Sequence, residues 1–174
     1  EELAEGLYFE GVDPEYATAE NLAVVAYKAV LSKLGLPMPG LRISVQAEIP
    51  ICRGLGSSAA LIAAGAAGAN ANHGSPLTRA ELLAVCNDIE GHPDNLAPAI
   101  FGGLVASFVE NERPYIARYS LHKRLRCTAL IPDFQLSTHL ARGVLPKEVP
   151  YGDAIFNVSR TAVLLRALEE GDTE

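Results

Sequence analysis

The stretch Pro50, Ile51, Cys52, Arg53, Gly54, Leu55, Gly56, Ser57, Ser58, Ala59 and Ala60 carries residue types suited to holding a polyphosphate. Gly54 and Gly56 can take positive φ and let the backbone approach a ligand closely. A helix opening near Ser58 would offer an anion the unpaired N–H groups of its first turn and the positive end of its dipole. Ser57 and Ser58 add hydroxyls able to bond a phosphate oxygen or a magnesium ion. A glycine turn with a serine N-cap would use the same residues without any ligand.

Two further groups could do chemistry. In Glu90-Gly91-His92-Pro93-Asp94-Asn95 a carboxylate could hold magnesium, and Asp94 could act as a general base. His92 with two acids would also suit a transition metal, and an Asx-rich loop satisfying its own backbone would need no ligand at all. In Ser137 to Arg142, Thr138 and Arg142 share a face if the segment is helical. A hydroxyl beside a guanidinium suits a carboxylate substrate, because arginine grips carboxylates bidentately; a plain surface arginine is the alternative.

These residues need elements to position them. Alternation predicts a strand over Leu41–Ala47, and the Ala/Gly run after Ser58 predicts a smooth, buried helix. Thr78-Arg79-Ala80-Glu81 reads as a capping box opening an amphipathic helix with Leu82, Leu83, Val85, Cys86 and Ile89 at helical spacing. An earlier helix runs from a cap at Thr18 to Leu34, with Gly35 as its stop. Glu1 to Asp13 shows no strong periodicity. Glu90 to Pro98 reads as loop and Ile100 to Phe108 as strand. The polar segment Asn111 to Arg124 reads as a domain boundary, dividing the chain into 1–112 and 125–174. Beyond it come a strand at Arg126–Ile131, a short helix near Thr138–Val144, and a final helix at Asp153–Glu169 with Ile155, Val158, Ala162, Leu165 and Leu168 inward.

Composition narrows the function classes. The 174 residues admit one domain or parts of two, and 49% hydrophobic content suffices for a packed core. A formal net charge of −7 argues against a nucleic-acid partner, which would demand a Lys/Arg surface, but leaves a single nucleotide possible. Cys52, Cys86 and Cys127 are odd in number and lack a Cys-x-x-Cys pair, so they read as reduced thiols of a cytoplasmic protein rather than a disulfide frame or a zinc site. The acidic first residues show no signal peptide, and the apolar run Ala59–Ala71 is too short to span a bilayer.

Three kinds of phosphate loop compete for Pro50–Ala60. A P-loop needs a lysine after its glycines, and none is present. The dinucleotide fingerprint matches literally at Gly54, Gly56 and Ala59, but requires a strand after the helix, where the capping box predicts another helix. The third is the Pro-x-x-x-Gly-Leu-Gly-Ser-Ser-Ala loop of the GHMP small-molecule kinases, which Pro50–Ala60 resembles at every position. Glu90 to Pro98 with Gly102-Gly103, Ser137 to Pro146, and Asp153 to Asn157 resemble, in order and spacing, the homoserine kinases within that family.

That resemblance implies an α+β, two-domain GHMP kinase fold, with the ATP-binding domain in 1–112 and the opening of the C-terminal domain in 125–174. It implies magnesium-dependent transfer of phosphate from ATP to the hydroxyl of L-homoserine, giving O-phospho-L-homoserine on the way to threonine, in a cytoplasmic enzyme that can form a homodimer. Pro50 to Ala60 would bind ATP, with Gly54 to Ser58 cradling its phosphates. Ser58 and Glu90 would hold magnesium, with Asp88 as the alternative carboxylate. Glu90, Asp94 and Asn95 would form the catalytic group. His92, Asp94, Asn95, Thr138 and Arg142 would bind homoserine, Arg142 on its carboxylate. The hydroxyl would attack the γ-phosphate directly, without a firm base role for Asp94. His139 and Leu140 depart from the family's Lys-Glu. The family's motifs before and after this stretch are absent, so the chain reads as a central portion lacking activity by itself. The alternatives are an inactive nucleotide-binding or scaffold fragment, another GHMP kinase, or a dinucleotide oxidoreductase.

Overall fold

The computed structural model describes residues 1–51, 53–131, 133–134 and 143–172. Its elements run β1 (Glu2–Leu3), β2 (Leu7–Glu10), α1 (Leu22–Leu34), β3 (Gly40–Ser44), α2 (Ser57–Asn72), α3 (Arg79–Glu90), α4 (Leu96–Phe101), β4 (Leu104–Glu110), β5 (Arg113–Tyr119) and α5 (Tyr151–Glu170). This is an α+β arrangement. One sheet has the order β1-β3-β2, with β2 parallel to β3 (Leu7 opposite Leu41) and β1 antiparallel to it. A parallel pair needs a long crossover, and α1 supplies it. A second sheet is the antiparallel hairpin β4–β5.

The core lies where α1, α2, α3 and α4 meet. Val30, Leu31, Ile62, Leu83, Cys86 and Leu96 are its largest fully buried side chains. Complete burial of one Ile or Leu is worth about 1.5–3 kcal/mol. Small residues in α2 set the α1–α2 distance: a Cβ on Gly65 would stand 2.2 Å from the Ala23 carbonyl oxygen. The Ala/Gly run is therefore a contact surface that holds α2, and the loop before it, fixed against α1.

The predicted capping box is present. Thr78 Oγ1 accepts from the Glu81 amide at 3.3 Å, and Glu81 Oε2 accepts from the Thr78 amide at 2.8 Å. The Thr78 amide, and next the Thr78 hydroxyl at 2.8 Å, donate to the Glu81 carboxylate and hold it below its ordinary range. A helix thus follows α2 where a dinucleotide fold requires a strand.

Several sequence expectations are corrected. The α1 cap is Asn21, whose Oδ1 accepts from the Ala23 amide at 3.0 Å; Thr18 instead closes the preceding turn through the Glu20 and Asn21 amides. The first residues, aperiodic in sequence, form β1 and β2, because pairing with β3 rather than alternation decides them. Strand β3 stops at Ser44 rather than Ala47. Leu96–Phe101, split between loop and strand in the sequence reading, is helical, since Pro98 lies in the first turn, where its missing N–H costs nothing. The segment after Asn111 forms β5 against β4 through a turn with φ of 49° at Asn111 and 61° at Glu112. Arg126–Ile131 forms no strand, and no described strand pairs with it. In α5, Ile155, Val158 and Ala162 are exposed rather than inward, Val158 by 74%, while Leu165 and Leu168 are half-buried. Among the described residues, the C-terminal end of α5 is tied down by the His122 amide on the Leu168 carbonyl at 2.9 Å and by Arg124 on the Gly171 carbonyl at 3.1 Å. The expected short helix near Thr138–Val144 lies largely outside the described residues.

Candidate active site at the amino end of helix α2

The site is built where the glycine loop turns into α2. Gly54 has φ 73° and Gly56 has φ 75°, both left-handed, so the chain enters the helix by a route that side-chain-bearing residues resist. Gly56 is the N-cap and, as a glycine, offers no side chain to a first-turn amide. No acidic residue stands in that first turn. The serine-cap alternative therefore fails: Ser57 and Ser58 are the first helical residues, and the amino end of a sixteen-residue helix is presented without a local anionic cap.

Helix α3 delivers the second half. Glu90 is its last residue, and Gly91 at φ 82° turns the chain away. A carboxylate at that end meets the negative pole of the α3 dipole, an unfavourable place on helix grounds alone. Its environment explains the position, because Ser58 Oγ donates to Glu90 Oε1 at 2.7 Å. Asp88, two residues earlier, is exposed, and helical spacing puts it on a different face from Glu90. The loop then carries His92 and Asp94, whose Nδ1 and Oδ1 are 2.7 Å apart, and Asp94 Oδ1 also accepts from the Asn95 amide at 2.9 Å. Asn95 reaches back to the glycine loop: a Cβ placed on Gly56 would lie 3.5 Å from Asn95 Oδ1. Gly56, Ser58, Glu90 and Asn95, far apart in sequence, thus surround one helix end.

The donor set bears on magnesium. Glu90 places a negative charge beside the helix end best suited to a phosphate. Two unit charges about 4 Å apart repel by roughly 4 kcal/mol near a protein surface, unless a cation lies between them. A hydroxyl and a carboxylate oxygen are hard donors, and magnesium takes one or two protein ligands plus phosphate oxygens rather than a full protein cage. The residues therefore fit magnesium held with a polyphosphate. Among the described residues no group of three or more His, Cys, Asp or Glu could hold a metal alone, so the transition-metal reading of His92 gains no ligand set.

Cys52, Thr138 and Arg142 lie outside the described residues, as do His139 and Leu140. Within the loop, Ile51 and Leu55 are exposed by 44% and 43%, and Ala59 is buried against the core. Sequence reading placed Arg53 in the loop but missed its long-range contact: Arg53 Nη2 donates to the Asp133 carbonyl at 2.9 Å. It also passed over Asn87, one turn before Glu90, which is buried with an Oδ1 that meets no donor among the described residues. No motif flags either residue. No described helix is long and apolar enough to cross a membrane.

Over 172 residues the chain is 45% identical to the homoserine kinase of Clostridium botulinum strain Loch Maree, covering 99% of this chain and 58% of that protein. Over 155 residues it is 48% identical to the homoserine kinase of Moorella thermoacetica, covering 89% of this chain and 52% of that protein. The chain thus spans somewhat over half the length of the curated relatives it matches. The crystal structure of homoserine kinase from Cytophaga hutchinsonii shares the fold, with a TM-score of 0.79 at 24% identity over 99% of this chain and 56% of that one. Residues 21–103 match the GHMP kinases N terminal domain.

Proposed function

We propose that the protein of which this chain forms a part transfers the γ-phosphate of ATP to the hydroxyl of L-homoserine, giving O-phospho-L-homoserine and ADP. The observation that carries the reading is the Ser58–Glu90 hydrogen bond at the uncapped amino end of α2. It brings together a hydroxyl and a carboxylate, hard donors of the kind that suit magnesium on a triphosphate. The 45% identity to a homoserine kinase supports the choice of acceptor.

In this mechanism the backbone of Gly54 to Ser58 and the α2 dipole neutralise and orient the phosphates. Ser58 and Glu90 would hold magnesium, which supplies charge neutralisation on the phosphate oxygens. Asn95, against Gly56, stands at the edge of the phosphate cradle and is assigned to orienting the acceptor. Asp94 is engaged by His92 and by the Asn95 amide, which suits a positioning role, and His92 lines the acceptor pocket beside it. Thr138 and Arg142 are assigned to the amino-acid end of the acceptor, with Arg142 on its carboxylate. Rate enhancement then comes from alignment and electrostatics: the new O–P bond forms as the bond from the γ-phosphorus to the ADP oxygen breaks, and the acceptor hydroxyl's proton passes to an oxygen of the transferred phosphoryl group.

The same reading assigns residues 1–112 to the nucleotide-binding domain and 125–174 to the opening of a second one. It places the enzyme in the cytoplasm, consistent with the unpaired thiols of Cys86 and Cys127, and takes a homodimer as its assembly. The test is a survey of acceptors with the intact enzyme, following ADP release at fixed magnesium-ATP. L-Homoserine should exceed mevalonate, galactose and L-serine in kcat/KM by at least about a hundredfold. Preference for a sugar or mevalonate would move the chain to another branch of the GHMP kinases. Nucleotide binding with no acceptor turnover would favour a binding or scaffold role.

A further inference from the structure

Asn87 is a polar side chain in a place where burial disfavours one. It is 8% exposed, and its Oδ1, shut off from solvent, meets no donor among the described residues. A buried acceptor left without a donor is unfavourable. Its place on α3 narrows the choice of donor. Helices α2 and α3 form an antiparallel pair. Asn70 and Leu77 bond reciprocally at 2.9 Å where the chain turns between them, and Ser58 bonds Glu90 at 2.7 Å at the far end. The side of α3 that carries Glu90 therefore faces α2. Leu83, Asn87 and Glu90 follow at i, i+4 and i+7 on that side, with Leu83 in the core and Glu90 on Ser58. Residues three apart on a helix have Cβ atoms about 5–6 Å apart. A serine hydroxyl bonded to Glu90 is thus a neighbour of Asn87.

We propose that Asn87 is a positioning residue for the magnesium site, accepting the Ser58 hydroxyl hydrogen when Ser58 and Glu90 both serve the metal. Ser58 donates that hydrogen to Glu90 Oε1. A hydroxyl that ligates a cation does so through an oxygen lone pair, and its hydrogen turns away from the cation. Glu90, ligating the same cation, then no longer lies in the hydrogen's path. The hydrogen needs another acceptor, and Asn87 Oδ1 supplies one on the same face of α3. Only hydrogen bonds are exchanged: Ser58 keeps its proton, Glu90 stays anionic and Asn87 neutral. The buried amide is satisfied when the metal is held, so it favours that arrangement. Partners of this kind behind a metal ligand fix its orientation, and their loss typically costs about 10–100-fold in metal affinity. The inference rests on the phosphotransfer reading above and adds to it a residue that no motif marks.

The experiment titrates manganese, a paramagnetic stand-in for magnesium, into the intact enzyme with a non-hydrolysable ATP analogue, and follows free metal by electron paramagnetic resonance. Asn87→Leu keeps a similar volume without the acceptor. It should bind manganese at least about tenfold more weakly than wild type, while the analogue's affinity measured in chelator stays unchanged. A double-mutant cycle shows whether Asn87 acts through Ser58. In a Ser58→Ala background, Asn87→Leu should alter manganese affinity by less than about twofold, because the hydroxyl it would serve is gone. Equal manganese affinity in wild type and Asn87→Leu, or the same loss with and without the Ser58 hydroxyl, would overturn the inference and leave the kinase reading standing. A wild type that binds no manganese with the analogue would overturn the kinase reading and the inference together. If Asn87→Leu does not fold, Asn87→Ala removes the acceptor without added bulk and decides the matter by the same comparison.

Discussion

Ser58 Oγ donates to Glu90 Oε1 across 2.7 Å, joining the first turn of α2 to the last residue of α3. Neither residue occupies a place that helix stability would choose. The serine is not the cap of its helix, and the carboxylate lies at the negative end of its own. A shared cation beside a polyphosphate gives both positions a reason.

Removing either member should therefore affect turnover more than folding. Ser58→Ala and Glu90→Ala should each lower kcat by at least about tenfold, equivalent to roughly 1.4 kcal/mol in the transition state. Both should also raise the magnesium concentration needed for half-maximal rate. Asp88→Ala, on the exposed side of α3, should leave that concentration unchanged. Steady-state kinetics over a magnesium titration checks all three, and a magnesium response altered by Asp88→Ala alone would shift the ligand to Asp88.

Arg142 is assigned to the carboxylate of the acceptor. Arg142→Leu should raise the homoserine KM by at least about tenfold and leave that of ATP nearly unchanged. Arg142→Lys should recover only part of the loss, because an ammonium cannot form the planar fork. An unaltered homoserine KM would make Arg142 a surface residue.

Stability should fall at alkaline pH through two buried groups. Burial, and next the hydrogen bond to Glu2, push the Tyr27 hydroxyl from 10.0 up to about 12. Burial pushes the Cys86 thiol from 9.0 up to about 11. Both folded values exceed the unfolded ones, so the stabilisation is complete below about pH 9 and lost as pH rises toward 12. Urea midpoints should decline across that window. Tyr27→Phe should flatten the upper part of the decline and Cys86→Ala the lower part. Identical pH profiles in all three proteins would show that other groups govern the alkaline limit.

The β4–β5 turn carries a local cost. Glu112 has φ 61°, a conformation that costs a side-chain-bearing residue about 1–2 kcal/mol. Glycine relieves that strain but loses more freedom on folding, so Glu112→Gly should stabilise the protein by about 0.5–1 kcal/mol net. Thermal unfolding measures it, and a lowered Tm would mean that the Glu112 side chain contributes contacts worth more than the strain.

That turn also shows where the sequence was hard to read. A two-residue hairpin turn announces itself through Asn-Gly or Asp-Gly; here Asn111 is followed by Glu112, so β5 was hidden inside a polar stretch. The cap at Asn21 was missed because Thr18, another capping residue type, stands just before it. By contrast, the Thr78–Glu81 box, the Gly35 stop and the Ala/Gly helix rest on local chemistry and appear as read. The site divides in the same way. The glycine loop and the Glu90–Asn95 loop each have a legible composition. Their meeting, through Ser58–Glu90 and Gly56–Asn95, depends on how α2 and α3 pack. So does the reach of Arg53 to Asp133, which no local pattern encodes.

The central claim is that this helix end holds a nucleotide whose γ-phosphate passes to the homoserine hydroxyl. The most direct measurement is phosphorus NMR of the intact enzyme with magnesium-ATP and L-homoserine. The account predicts loss of the γ-phosphate signal with matching growth of ADP and of one phosphate monoester, co-migrating with O-phospho-L-homoserine, and at least about a tenfold slower appearance with Glu90→Ala. Inorganic phosphate in place of the monoester, or a monoester formed at the same rate with Glu90→Ala, would contradict it.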